Sequence, residues 1–336
     1  MPDVFQYIEI DELTRSKKGA IVQGIMDAIS DNAIATGDPL PSVNKMIQRL
    51  GVARMTVVNA LNILKERGII VSEDKVGYYV RDDNVKRELK VFLFLSGFYS
   101  YHETFYNSIV ESLSGQNITI DLYFHHCNPR TFYSVLAENL GCYGLYLITG
   151  FDDPQVRLTL SRIPSRKLLQ IIRPPLLEGV SSITQDFYSG LKRSLEKLKE
   201  RILTYEKFIL IFPLRKGHPE EIKTAFTEFC AENRIPFQIE NKVSGEFITK
   251  RTAFGVIEDS DLISLIKMGE EQSLTLGNEL GILSYNETPM KEIIRNGITV
   301  VSVDFEKMGQ SISRFIIDPK PTVEVFIPEV IFRNSL

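Results

Sequence analysis

The chain has 336 residues, 43% of them hydrophobic and 24% charged, with a formal net charge of −4. That length implies two domains, or three, at roughly 100–200 residues each, and the balance is that of an ordinary soluble globular chain, not a disordered or fibrous one. The apolar runs VFLFL (91–95) and GLYLI (144–148) fall far short of the ~20 residues that cross a bilayer, and the acidic start MPDVFQYIEIDE lacks a signal-peptide core. Three cysteines, Cys127, Cys142 and Cys230, are far apart and form no CxxC, which argues for a reducing cytoplasm and against a disulfide framework or zinc site.

In chain order, Ala20, Ile21, Ile25, Ala28 and Ile29 recur at helical spacing and predict an amphipathic helix over 17–32. TGDPLPS (36–42) is a turn, with Ser42 placed to cap the next helix, whose apolar face is Val43, Met46, Ile47 and Leu50. Gly51 breaks that helix, and Val57, Ala60, Leu61 and Leu64 give one face of a following helix that ends near Gly68. IIVSEDKVGYYV (69–80) reads as a hairpin with a charged tip. Together these elements make a winged helix-turn-helix, a design that places its second helix in the major groove of double-stranded DNA. Charge agrees in its distribution although not in its total. Residues 40–81 hold seven bases and three acids, a net of +4, whereas residues 1–39 hold three bases and seven acids, a net of −4.

At the start of the second helix, Arg54, Met55, Thr56 and Asn59 lie off the core face. Arg pairs with guanine or phosphate, Asn with adenine, and Met touches a thymine methyl. Ser42, Arg49 and Lys75 at the wing tip are candidates to position phosphates, the bland reading of the two cations being a solvated surface.

RDDNVKREL (81–89) is polar enough for a linker, so the expected domains are 1–82, a linker at 83–89, and a body at 90–336. In the body, strand-like runs alternate with amphipathic helices: VFLFL, a helix near 104–114, ITIDLYF (118–124), a helix near 131–140, GLYLIT (144–149) and KLLQII (167–172). A second set follows: a helix at 188–201, KFILIF (207–212), a helix at 219–233, FQIE (237–240), a helix at 260–267, GILSYN (281–286), a helix at 289–295 and TVVSV (299–303). This is the α/β pattern of doubly wound parallel sheets, long enough for two lobes, with ligands expected at the carboxyl ends of the strands.

The head resembles the GntR family of bacterial regulators. The family's run appears as Leu40-Pro41-Ser42, Gly51-Val52-Ala53-Arg54-Met55-Thr56-Val57, Ala60-Leu61, Leu64 and Gly68. Thr36 stands where that family usually has Pro, Ala53 where it has Ser, and Val58 where many members carry Arg. The body is similar to the sugar-binding domain of LacI-type repressors, a two-lobed fold related to periplasmic binding proteins. IPEVIFRNSL (327–336) resembles its closing strand and Arg-x-Ser ending, EKMGQSISRFI (306–316) its Glu-Met-Gly helix, and TQDFYSG (184–190) the opening of its second lobe. A GntR-like head on a LacI-like body resembles the arabinose-repressor type of chimera. The resemblance implies a cytoplasmic homodimer on a pseudo-palindromic operator, a repressor of carbohydrate-utilisation genes that answers to a monosaccharide such as arabinose or fucose.

It also implies where the effector sits. SGFYSYHETF (96–105), read as the loop after the first strand, occupies the sugar-contact position and offers Phe98, Tyr99, Tyr101, His102 and Phe105. Arg173 follows KLLQII, and Asp186 lies near the lobe crossover. Glu258, Asp259 and Asp261 follow a strand ending at Val256-Ile257, and Asn286 follows GILSY. Lys223 is nearest to the place where the family has a sugar-binding Arg. Aromatic faces and charged groups of this kind suit a polyhydroxylated ligand, although Asp259 and Asp261 would serve equally as helix caps.

Alternatives of other classes are a nucleobase or amino-acid effector, an activator, and an enzyme fused to the head with Asp186 and Asp259 as an acid/base pair. No P-loop, GxGxxG, GxSxG or HExxH occurs, so no cofactor is expected. His125, His126 and Cys127 invite a metal reading, which alternation along a strand disfavours, since adjacent residues would point to opposite faces.

Overall fold

The computed structural model describes residues 3–10, 14, 16–73, 76–81, 89–213 and 217–336. Lys75 and residues 83–88 of the expected linker lie outside the described residues. The head is built from α1 (Lys17–Ser30), α2 (Val43–Leu50), α3 (Arg54–Glu66) and a wing of β1 (Ile70–Glu73) and β2 (Gly77–Val80). α1 buries Ile21, Ile25 and Ala28, and α3 buries Val57, Ala60, Leu61 and Leu64, so the two helices share one core with Met46 of α2. The Ser42 hydroxyl oxygen accepts from the Lys45 amide at 3.2 Å and starts α2. Gly51 ends it at φ 62, a left-handed position that costs other residues strain. The wing strands pair antiparallel with Ile70 opposite Val80. They are pinned to the turn before α2 by the Leu40 amide donating to the Tyr78 carbonyl at 2.8 Å. Sequence periodicity missed a 3-10 turn at Val4–Tyr7, which seats Val4 and Ile8 in the head core.

The body contains two six-stranded sheets. Its elements run β3 (Leu89–Leu95), α4 (Tyr101–Ser112), β4 (Ile118–Phe124), α5 (Pro129–Asn139), β5 (Leu145–Ile148), α6 (Pro154–Leu160), β6 (Leu168–Ile172) and β7 (Ser182–Gln185). They continue with α7 (Ser189–Ile202), β8 (Lys207–Ile211), α8 (Glu220–Glu232), β9 (Phe237–Glu240), β10 (Thr252–Val256), α9 (Asp259–Glu271), β11 (Leu280–Tyr285) and α10 (Pro289–Ile293). β12 (Thr299–Ser302), α11 (Phe305–Ile317), β13 (Val323–Phe326) and β14 (Glu329–Ile331) close the chain. The first sheet has the order β4-β3-β5-β6-β7-β13 and the second β9-β8-β10-β11-β12-β14. Pairing in the second is parallel except at its edge, where the C-terminal β14 runs antiparallel to β12. Central strands such as β5, β6, β10 and β11 are buried along their whole length, as expected where helices cover both faces.

Two expectations change. The segment 96–105 is not all loop, because α4 begins at Tyr101. Its residues therefore follow helical spacing: His102, Phe105 and Ile109 turn into the core, while Phe98 and Ser100 of the preceding turn and Glu103 of the helix stay exposed. Likewise β4 stops at Phe124, so strand alternation does not govern His125–Cys127. His126 and Cys127 both adopt left-handed backbone, and His125 is wholly buried against Phe94 and Phe132. Among the described residues no group of three or more His, Cys, Asp or Glu side chains is arranged to hold a metal ion.

By compactness the chain divides into two units. One comprises Met1–Ser96, Gly115–Ile148 and Asp152–Leu169, and thus joins the head to β3, β4 and β5. The other comprises Gly97–Ser114, Thr149–Phe151 and Gln170–Leu336. Within the second, α11 crosses α4 closely at Gly309, where a Cβ would lie 2.8 Å from the Phe105 carbonyl oxygen.

Ala53, the position where the related run carries Ser, is the N-cap of α3. It has extended backbone (φ −66, ψ 149) and gives no side-chain cap hydrogen bond. Ala53→Ser is therefore expected to raise stability in urea unfolding by about 1 kcal/mol through a new cap. An unchanged midpoint would show that the α3 terminus is already satisfied.

Candidate functional site

The head presents one face of α3. Arg54, Met55 and Asn59 are exposed and Thr56 is half-buried, whereas Val57 and Ala60 between them are sealed in the core. Met55 is 63% exposed, which a large apolar side chain tolerates but does not favour. The Arg54 guanidinium donates to Asn44 Oδ1 on α2 at 3.3 Å, a weak tether to the preceding helix. Ser42 accepts through its oxygen as the cap of α2. Arg49 is differently employed: it forms an ion pair with Asp3 at 2.9 Å, and its guanidinium lies 5.3 Å from the Phe5 ring.

In the second unit a cavity of about 240 Å³ lies between the 98–101 turn and the residues that follow β10 and β11. It is at the small end for ligand pockets, which usually span ~300–1,000 Å³. Aromatic side chains form one side. Tyr101 stacks on Tyr99 (centroids 5.6 Å) and on Phe305 (4.4 Å), and Phe98 projects into solvent. Burial holds the Tyr101 and Tyr285 hydroxyls neutral, far above the ordinary tyrosine pKa.

The opposite side is organised by Lys291, whose side chain is 2% exposed. Its ammonium donates to the Tyr285 carbonyl at 3.1 Å and the Asn286 carbonyl at 2.7 Å, and it pairs with Asp259 Oδ1 at 2.9 Å. An ammonium has three donors, and all three are spent, which is what makes so deep a charge tolerable. Burial pushes its pKa down and Asp259 pushes back. Asp259 Oδ2 accepts from Ser100 Oγ at 2.6 Å, so the carboxylate links the aromatic turn to the start of α9. Glu258 pairs with His218 Nε2 at 2.9 Å, both side chains being nearly buried. Asn286 is held left-handed at φ 62, and its Oδ1 is buried without a partner among the described residues, as is the Tyr285 hydroxyl. Such orphaned atoms cost about 1–3 kcal/mol each and mark where a ligand would be welcome.

The structure thus brings Phe98, Tyr99, Tyr101, Glu258, Asp259 and Asn286 to one cavity. It places the other effector candidates elsewhere. His102 and Phe105 are core residues of α4. The Asp186 carboxylate accepts from the Tyr188 and Ser189 amides at 3.0 and 2.8 Å and so opens α7. Lys223 pairs with Glu220 at 2.5 Å and lies over the Phe212 ring. Asp261 sits in the first turn of α9. Arg173 donates to the Gly217 carbonyl, and its charge reaches Tyr101 without its side chain lining the cavity. Sequence reasoning missed Ser100, Lys291, His218 and Phe305. A lysine in a short helix and a phenylalanine at a helix start look like surface and core residues in one dimension, and nothing in their spacing marks them.

The burial of His102 has a measurable consequence. Burial lowers its pKa from 6.5 to about 4. The unfolded chain takes up that proton near its ordinary pKa and the folded protein only near pH 4. The contribution is therefore whole above pH 6.5 and is lost as pH falls through the window, by roughly 3 kcal/mol. Urea unfolding at pH 7 and pH 4 should show this decline in the native protein and a flatter profile in His102→Gln. Equal slopes would refute the assignment.

Comparison with known proteins agrees with this geometry. Residues 17–80 match the gntR family of bacterial regulatory proteins. The fold of the body is shared with a transcription regulator like protein from Staphylococcus haemolyticus, at 14% identity and TM-score 0.61 over 74% of this chain and 99% of that one. It is shared with a dimeric Lac repressor lacking 11 C-terminal residues, at 14% identity and TM-score 0.60 over 74% and 98%. It is also shared with a LacI family regulator from Lactobacillus casei with bound sucrose, at 11% identity and TM-score 0.61 over 74% and 99%. The chain therefore carries a DNA-binding head of the gntR family at residues 17–80, on a body with the fold of LacI-type transcription regulators.

Proposed function

We propose that this protein is a ligand-responsive repressor of carbohydrate-utilisation genes, acting as a homodimer on a pseudo-palindromic operator. The effector is a neutral monosaccharide, of arabinose or fucose type, seated in the Tyr101–Asp259–Asn286 cavity. The observation that carries the reading is how the charged groups of that cavity are engaged. The Lys291 ammonium is fully used by Asp259 and two backbone carbonyls, and the Glu258 carboxylate lies 2.9 Å from His218 Nε2, so the lining holds no spare ammonium or guanidinium. A zwitterionic amino acid or a sugar phosphate would need a cation left over for it, whereas a polyol needs aromatic faces and fixed hydrogen-bonding groups. The unpartnered Asn286 Oδ1 and Tyr285 hydroxyl offer the latter. The Asp186 carboxylate accepts from two backbone amides at the start of α7 and Asp259 pairs with Lys291, which gives the enzyme reading no acid/base pair. The Lactobacillus casei regulator of the same fold binds sucrose. Arg54, Met55, Thr56 and Asn59 read bases; Ser42 and Lys75 contact phosphates, and Arg49 does so if it leaves Asp3.

Arg54→Ala is expected to weaken binding to a duplex selected from a random pool by about 5–150-fold at fixed salt, the loss of roughly 1–3 kcal/mol of base recognition. Its melting temperature should not move, because the side chain is exposed. Native affinity in that variant would count against α3 as the reading helix.

Calorimetry on the full chain should detect L-arabinose or L-fucose but neither purines nor free amino acids. With the selected duplex present, sugar affinity should change by the same factor, about 5–150-fold, by which sugar changes duplex affinity. Equal sugar affinities with and without DNA would remove the regulatory half of the proposal.

A further inference from the structure

One face of α1 is used by neither the head core nor the DNA side. Gly19, Gln23 and Asp27 are spaced four residues apart and so line a single stripe, away from the buried Ile21, Ile25 and Ala28. Within the first compact unit this stripe meets the segment 140–144 and Lys167 of the body. The Asp27 carboxylate forms an ion pair with Lys167, the two side chains being 14% and 9% exposed, and also accepts from Gln23 Nε2 at 2.9 Å. Backbones approach closely beside it. A Cβ at Gly19 would lie 2.5 Å from Cys142 Sγ, and one at Gly141 would lie 2.9 Å from Ala20 Cβ. At the margin the Arg166 guanidinium lies 5.8 Å from the Tyr7 ring. Ser16, the residue before α1, hydrogen-bonds the half-buried Cys142 thiol, whose pKa burial raises.

A buried ion pair adds little net stability, because desolvation offsets its attraction; its best-attested use is to fix one register against others. We propose that the Gly19–Gln23–Asp27 stripe is a docking seam that locks the DNA-binding head to the body, with Asp27–Lys167 as its latch. The seam sets the spacing and angle at which paired heads meet two half-sites. A head on a free tether would accept many half-site separations, whereas a locked head accepts one. Lys167 immediately precedes β6, and the far end of that strand holds Ile172 in left-handed backbone (φ 68), a costly conformation for a β-branched residue, followed by Arg173. One buried strand thus connects the latch to a strained turn.

The seam can be tested without knowing any ligand. Cys142 should react slowly with N-ethylmaleimide in the native protein, scored by peptide mass spectrometry with Cys127 as the internal reference. Asp27→Ala and Lys167→Ala should each speed its modification by roughly tenfold or more, because each leaves the other charge buried and unpaired and opens the seam locally. Gly19→Val should do the same by wedging, and the reversed pair D27K/K167D should recover part of the protection. Unchanged Cys142 rates in all the single variants would overturn the seam.

The spacing claim rests on the proposed regulator reading and is tested separately on the duplex selected from a random pool. The native protein should prefer it over a duplex with a few base pairs inserted between the half-sites, and Asp27→Ala should lose that preference while still binding. Retained preference in Asp27→Ala would overturn the spacing role. If the native protein binds no duplex, the regulator reading fails, and the thiol rates still decide the seam.

Discussion

Parallel strand pairing is the constraint from which the pocket follows. Parallel neighbours cannot be joined by a tight turn, so each strand must be followed by a crossover, and the segments leaving the strands gather at one edge of the sheet. In the second sheet β10, β11 and β12 are adjacent and parallel. Glu258 and Asp259, Asn286 and Phe305 therefore come together although up to 47 positions separate them in the chain. The antiparallel β14 caps the sheet edge and leaves this arrangement of carboxyl ends intact.

Two buried lysines show how charge is used once the sheets are in place. Lys291 spends all three donors on the Tyr285 and Asn286 carbonyls and on Asp259, so it fixes a left-handed turn and a carboxylate at once. Its cost in desolvation is met by geometry, and the gain is a preset cavity wall. Lys167 performs the corresponding task at the head, pairing with Asp27 of α1. In both places an ionic contact defines a position rather than supplying bulk stability. The bulk comes from the apolar clusters of the head and of the second sheet.

Much of the fold was legible in one dimension because its signals are local. The 3.6-residue stripes of Val57, Ala60, Leu61 and Leu64, the Ser42 cap and the Gly51 stop are each decided within a few residues. Strands such as 91–95 and 207–211 announce themselves as short apolar runs. α6, β7 and β13 were not read, and the Val4–Tyr7 turn lies in a stretch whose acidity masks its apolar residues. The pocket was legible in part. The turn holding Phe98 and Tyr99 and the ends of β10 and β11 were identifiable from strand topology. His102 and Phe105 were misassigned to a loop although Ser100 and Glu103 have the S-x-x-E spacing of a helix start; in the fold Ser100 makes no side-chain cap hydrogen bond and turns to Asp259 instead.

By itself the sequence determined the class of the protein: a winged helix-turn-helix head, followed by the strand–helix alternation of largely parallel sheets. These features depend on neighbours within about one helical turn or one crossover. Only the tertiary structure decided which polar groups meet. It spent Asp186 on the Tyr188 and Ser189 amides and Lys223 on an ion pair, brought Lys291 and Ser100 to the cavity, set His218 behind Glu258, and placed Asp27 against Lys167 across 140 positions. The physical reason is that hydrogen bonds and ion pairs act over a few ångströms in space, without regard to separation along the chain, so no periodicity announces them.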